Sequence, residues 1–244
     1  MKTLLLKGIW FATLPLMPLV FPQALYVKRT TLRLPEAQGP RSFSAPNKAK
    51  LSLLHVGEST VAGVGVDEIQ QGFTHHLAQS LAQHKSISPK ELAYHVLGEN
   101  GIRLNALNDN IQSLPAGFDV AVVTMGVNDC SKFTSIKKWR ADLHHCIKNL
   151  KQKTNGPIFF TQVPPMADFP ALPFPIKNIL GLRATLLDKE LQSVCQQYEQ
   201  VCHLNIDVPL EENMMARDGY HPSCKGYEAW AQLVAPSIIE KLNS

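Results

Sequence analysis

Two short segments carry the residue types that acyl transfer chemistry needs. Ser59 stands in Gly57-Glu58-Ser59-Thr60, directly after an apolar run, where a tight turn would present its hydroxyl beside backbone N–H groups. Asp218 and His221 are three residues apart, a spacing that lets the carboxylate fix the imidazole tautomer while the opposite nitrogen takes a proton from a nucleophile. Each signal is weak alone, because Ser at such a turn is more often a helix cap.

Two further segments offer hydrogen-bond donors for a developing negative charge. Gly98-Glu99-Asn100-Gly101 and Gly126-Val127-Asn128-Asp129 each follow an apolar run. A glycine lets its backbone N–H face a cavity, and an Asn amide is a donor that cannot ionise, so both suit an oxyanion hole. Separately, each segment predicts only a turn, because Gly, Asn and Asp favour turns for conformational reasons.

The elements that must position these segments alternate between strand-like and helix-like patterns. Short runs rich in Val, Ile, Leu or aromatic residues predict strands at about 51–56, 94–97, 120–125, 158–162 and 201–206. Amphipathic stretches predict helices at about 68–84, 104–113, 134–153, 178–199 and 225–242. This alternation predicts an α/β fold with a mostly parallel sheet between two helix layers. Ligands of such sheets bind beyond the carboxyl ends of the strands, which is where the polar segments fall.

In combination and in chain order, these motifs resemble the SGNH/GDSL hydrolase family over about residues 51–242. The resemblance implies a three-layer α/β/α, flavodoxin-like fold with a five-stranded parallel sheet in the order 2-1-3-4-5. It implies that Ser59 is the nucleophile, His221 the general base and acid, and Asp218 its orienting partner. It also implies an oxyanion hole built from the N–H groups of Ser59 and Gly101 and the side chain of Asn128.

The resemblance and the chemistry together predict a serine esterase that hydrolyses carboxylic esters through an acyl-enzyme, without a metal or organic cofactor. Because the general base must be neutral, efficiency should fall below about pH 6.5. Glu58 departs from the family's Gly-Asp-Ser motif, which bears more on rate than on reaction type. An acyltransferase or a glycan deacetylase would use the same residues, and a non-catalytic membrane-tethered binding module is the alternative from another class. Lipid, acetylated glycan and small acyl esters all fit.

A proline-rich stretch after the fourth predicted strand should shape the acyl pocket. Residues 163–180 contain five prolines among large apolar side chains, so a stiff loop is expected on the same rim as Ser59. Phe169 and Phe174 are the predicted substrate-binding residues. Packing of this loop on the next helix is the alternative.

The N-terminal segment differs in character from the rest of the chain. Residues 8–27 are uncharged and long enough to cross a bilayer as a helix, although three prolines interrupt them. The predicted organisation is a membrane anchor or signal segment at 1–29, a linker at 30–50 and the hydrolase domain at 51–244. A retained anchor is favoured over a cleaved signal and over a segment that lies at the membrane interface or packs on the domain. The protein is therefore expected at a membrane surface, with the extracytoplasmic side favoured.

Composition excludes several other classes. The chain has 244 residues, of which 45% are hydrophobic and 18% charged, values typical of one soluble α/β domain. Residues 1–50 carry eight basic and one acidic side chain, whereas the rest carries 16 and 19, so the body does not favour nucleic acid as a partner. The five cysteines include no Cys-x-x-Cys pair, which argues against zinc ribbons and thioredoxin-type chemistry. A Cys195–Cys202 bridge and the oligomeric state are left open.

Overall fold

The computed structural model describes residues 2–13, 15, 17–44, 49–84, 88, 91–206 and 211–243. Its central sheet has six strands: β1 (Ser42–Phe43), β2 (Leu51–Gly57), β3 (Leu92–Gly98), β4 (Val120–Thr124), β5 (Ile158–Thr161) and β6 (Val201–Leu204). They lie in the order β1-β3-β2-β4-β5-β6. The last five in chain order are parallel and have the predicted 2-1-3-4-5 arrangement, whereas β1 is antiparallel to β3. The α/β prediction is confirmed, and its strand count is corrected from five to six.

The additional edge strand falls in the segment predicted as a linker. Phe43 stacks on Tyr94 with ring centroids 5.6 Å apart, and the Ser42 hydroxyl lies 2.6 Å from Nδ1 of His95. Upstream, the Gln38 N–H donates to the carbonyl of Asp67 at 2.7 Å. These contacts hold this part of the chain along the edge of the domain. Residues 45–48 of the predicted linker lie outside the described residues.

Helices cover both faces of the sheet and make it a three-layer domain. On one face lie α3 (Phe73–His84) and α8 (Cys224–Leu242), and on the other lie α4 (Leu104–Gln112), α6 (Ile136–Leu150) and α7 (Ile176–Cys195). The short α5 (Val127–Ser131) follows β4. Every residue of β4 is buried, because a central parallel strand has helices on both of its faces. The cysteines are free thiols, so the Cys195–Cys202 bridge is not formed.

The N-terminal segment forms two helices, α1 (Lys2–Thr13) and α2 (Met17–Thr30), separated around Pro15. The buried Arg183 of α7 contacts α1 through Trp10, whose ring centre lies 5.0 Å from the guanidinium. The same guanidinium lies 5.2 Å from the ring centre of Phe133, in the loop before α6. In α2, Gln23 donates to the carbonyl of Phe174 at 2.7 Å. Among the described residues, no helix is both long and apolar enough to span a bilayer.

The register of the central strands brings their carboxyl ends level. Gly57, the last residue of β2, pairs with Gly98 at the end of β3 and with Thr124 at the end of β4. The turns that follow these three strands therefore meet at one edge of the sheet. A side chain at Gly98 would collide with the backbone of Ala62, so a glycine is required where the turn after β2 crosses the end of β3.

Candidate active site

Three side chains predicted to act together are joined by hydrogen bonds. The hydroxyl of Ser59 lies 2.8 Å from Nε2 of His221, and Nδ1 of the same ring lies 2.7 Å from Oδ2 of Asp218. Ser59 sits in the turn after β2, and the other two precede α8, so the sheet and the last helix position the set. In this geometry His221 can take the hydroxyl proton while Asp218 holds the ring and stabilises its charged form.

Asp218 is built to remain ionised although it is buried. Burial alone would favour its neutral form, but the His221 ring and the backbone N–H groups of Tyr220 and His221 donate to it. These donors outweigh burial, and the pKa of Asp218 is lowered from its ordinary value. A carboxylate that keeps its charge is what an orienting partner of His221 requires.

The predicted oxyanion-hole donors line the same cavity as Ser59. In the described part of the chain, the N–H groups of Ser59 and Gly101 have no hydrogen-bond partner, which leaves both available to a ligand. Gly101 has φ +83°, a conformation that glycine adopts readily and that turns its N–H away from ordinary strand geometry. The Asn128 side chain reaches the cavity from α5. Gly98, the other glycine of this segment, is not among the lining residues.

Glu58, the departure from the family motif, fixes Asn128 in place. Its carboxylate accepts the backbone N–H of Val127 and of Asn128, each at 2.9 Å, and the Asn128 side-chain amide at 2.6 Å. Only one of the two amide protons is used, so the other can point into the cavity. Burial raises the pKa of Glu58 to about 7, and the nearby Asp129 acts in the same direction, whereas these hydrogen bonds partly oppose the shift.

This arrangement predicts a pH effect on activity that Glu58 controls. As the pH falls through about 7, the carboxylate takes up a proton and loses acceptor capacity, so its hold on Asn128 weakens. In the Glu58→Gln variant the glutamine side chain cannot ionise, and its NH₂ group faces one of the two backbone N–H groups that the carboxylate accepts. We expect about tenfold lower turnover at pH 8 and an acid limb displaced from that of the wild type. Profiles from pH 5 to 9 that coincide after scaling would contradict this role.

A large, mostly apolar cavity opens above these residues, with a volume of about 1120 Å³. Phe169 lines it and is buried, as predicted. Phe174 does not line it: its side chain is 73% exposed, while its backbone carbonyl is held by Gln23. The prediction for Phe174 is therefore corrected, because the backbone of the proline-rich loop directs this side chain to solvent. Within the described ranges, no cluster of His, Cys, Asp or Glu side chains is placed to hold a metal ion.

Sequence reasoning missed one wall of this cavity. Val20, Ala24 and Val27 of α2 line it, although residues 1–29 were predicted to be an anchor or signal segment separate from the hydrolase domain at 51–244. The prolines that make residues 8–27 a poor spanning helix were the available signal for two short packed helices. Sequence reasoning also gave no role to Asp129, which is buried and anchors the start of α4 by accepting the N–H of Leu104 at 2.9 Å.

Comparisons with known proteins agree with this architecture. The lipase/acylhydrolase from Enterococcus faecalis is 17% identical and superposes with a TM-score of 0.60, covering 78% of this chain and 96% of its own. TesA is 20% identical and superposes with a TM-score of 0.58, covering 77% of this chain and 97% of its own. The acetylxylan esterase Axe2 from Geobacillus stearothermophilus is 13% identical and superposes with a TM-score of 0.55, covering 81% of this chain and 96% of its own. No curated protein matches the sequence. The model of the GDSL-like lipase/acylhydrolase family matches residues 55–229, so the resemblance seen in the motifs is confirmed and this chain belongs to that family.

Proposed function

We propose that this GDSL-family hydrolase is a serine esterase that cleaves carboxylic esters through an acyl-enzyme. The observation that carries the proposal is the continuous hydrogen-bonded chain from Asp218 through His221 to the Ser59 hydroxyl, which ends at the large cavity. A binding module would have no chemical need for these hydrogen-bonded side chains or for donors at Gly101 and Asn128.

The geometry supports the following sequence of events. Ser59 Oγ attacks the ester carbonyl while Nε2 of His221 takes its proton, and the oxyanion forms beside the three donors. The carbon–oxygen bond to the alcohol then breaks, and His221 returns the proton to the leaving alkoxide. Water enters, gives a proton to His221 and attacks the acyl carbon. The bond from this carbon to Ser59 Oγ then breaks, His221 returns the proton to Ser59 Oγ, and the acid is released.

The test is ester hydrolysis by the full chain, measured as p-nitrophenol release from esters of rising acyl length. A burst of p-nitrophenol equal to the enzyme concentration, followed by a slower steady rate, is expected when deacylation limits turnover. Adding glycerol or a sugar alcohol separates hydrolysis from acyl transfer, because a transferase would form a new ester instead of free acid. The absence of turnover on every ester, together with no labelling of Ser59 by a fluorophosphonate, would refute the proposal.

We also propose that the N-terminal helices bring the enzyme to a membrane surface. Four apolar or aromatic side chains on α1 and α2 are exposed, namely Ile9, Phe11, Phe21 and Tyr26. Lys28 and Arg29 lie in the last turn of α2. Exposed aromatic and aliphatic side chains next to basic residues favour an anionic lipid interface. Two short helices packed on the domain fit attachment at the interface better than passage through the bilayer.

Vesicle sedimentation tests this attachment. Phe11→Ser and Phe21→Ser should each lower the partition onto vesicles with anionic lipid about tenfold, because each removes an aromatic ring that would be buried there. Phe43→Ser is the matched control, since Phe43 is exposed on β1 and not on α1 or α2. Equal partition of all three variants, or none for the wild type, would contradict a role of α1 and α2 in membrane binding.

A further inference from the structure

The catalytic cavity has a wall that the catalytic domain does not supply. Ser59, Asn128 and His221 line it together with many apolar side chains, and two groups of these carry the inference. One group belongs to the loop after β5 and the start of α7, with Met166, Phe169, Leu172, Ile176 and Ile179. The other belongs to α2, which precedes residues 55–229 and contributes Val20, Ala24 and Val27. The reacting groups therefore open into a mostly apolar space, part of whose wall lies outside the residues that match the family model.

Two hydrogen bonds attach α2 to the start of α7. The Gln23 side chain donates to the carbonyl of Phe174 at 2.7 Å and accepts the N–H of Ile176 at 3.3 Å. One side chain of α2 thus bonds both backbone groups at the start of α7. On α1, the Trp10 ring is held over Arg183. These contacts fix the position of α2 beside α7, so α2 is a permanent part of the cavity wall.

The size and chemistry of this space select a class of acyl group. Pockets for drug-sized ligands run from about 300 to 1,000 Å³, and this cavity of about 1120 Å³ is larger. An acetyl group would leave the apolar wall of α2 uncovered. A long alkyl chain would cover it, and each methylene buried there should improve binding about fourfold.

We propose that α2 and the loop after β5 form the two sides of an acyl-chain site, and that long-chain fatty acyl esters are the substrate class of this enzyme. This inference rests on the proposed esterase function. Ser59 would hold the carbonyl carbon at the base of the cavity, with the alkyl chain lying between Ala24 and Phe169 or Leu172. Acetylated glycans, which carry only a two-carbon acyl group, would not use this site.

The test compares one substitution at two positions across acyl lengths. Ala24→Phe places a ring inside the cavity, whereas Ala12→Phe makes the same change at an exposed position of α1 that does not line it. For the wild type, kcat/KM should rise from acetyl through butyryl and octanoyl to dodecanoyl p-nitrophenyl esters. Ala24→Phe should lower the ratio of dodecanoyl to acetyl efficiency at least tenfold, and Ala12→Phe should leave it unchanged.

A measurement on the unmodified protein guards against misfolding of the variant. Dodecanoate should protect Ser59 from a fluorophosphonate at concentrations at least 100-fold lower than acetate. Equal protection by the two acids, or a wild-type preference for acetyl that Ala24→Phe does not alter, would overturn the acyl-chain site while leaving the esterase intact. Loss of the esterase function itself would appear differently, as no turnover on any ester, acetyl included.

Discussion

Replacement of Ser59 by Ala is expected to lower ester turnover roughly 10⁴- to 10⁶-fold and to abolish labelling by a fluorophosphonate. In the proposed mechanism the Ser59 oxygen, 2.8 Å from Nε2 of His221, forms the bond to the acyl group, and Ala has no atom that can replace it. The fold should persist, because the loss of a turn serine costs about 0.5 to 2 kcal/mol at most. Thermal unfolding and p-nitrophenyl ester hydrolysis, measured on the same preparation, check both statements.

A matched control for this substitution is Ser193→Ala on α7. Ser193 is exposed and has no part in the cavity, so both turnover and labelling should stay at the wild-type level. Wild-type labelling of Ser59→Ala would show that another nucleophile reacts. In that case the Asp218–His221 pair would need a different partner.

Replacement of Asn128 by Ala is expected to lower turnover about 100- to 1000-fold. This range is typical for removal of one donor from an oxyanion hole. The effect should fall on kcat more than on KM, because the amide proton meets negative charge that develops only in the transition state. Steady-state kinetics on a butyryl ester separates kcat from KM. This ester should be accepted whether the enzyme prefers short or long acyl groups.

The control here is Asn155→Ala. Asn155 is exposed and precedes β5, at the end of the sheet away from the catalytic edge, so its loss should leave both kinetic parameters unchanged. A decrease of less than threefold for Asn128→Ala would remove this side chain from the oxyanion hole. The N–H groups of Ser59 and Gly101 would then be the remaining donors.

Much of the fold follows from local sequence pattern. The strands β2, β4 and β5 are mostly or wholly buried apolar runs that end in Gly or Thr. The observed bounds of β4 differ from the predicted ones by a single residue. The edge strand β1 was not predicted, because two exposed residues have no periodicity to detect. Its partner, β3, supplies the hydrogen bonds and the aromatic contact that define it.

The candidate site divides in the same way. Ser59, Gly101, Asn128, Asp218 and His221 were predicted because short motifs keep them within a few residues of a strand end or a turn, and the structure places all five around one cavity. The role of Glu58 could not be read from the sequence, since it depends on contacts with Val127 and Asn128, about 70 residues away. The misplacement of Phe174 has a similar cause: composition indicates an apolar loop but not which ring points inward.

The position of α2 in the chain places the residues proposed to cleave the ester and part of those proposed to recognise the acyl chain in different segments. The residues proposed to break the ester lie between positions 58 and 221, whereas part of the surface that would measure the acyl chain lies within residues 17–30. Side-chain bonds from α2 to the domain pass through Gln23, which does not touch the reacting groups. With the acyl-chain site proposed above, mutation or exchange of residues 17–30 would change the substrate range during evolution while the catalytic residues are inherited unchanged.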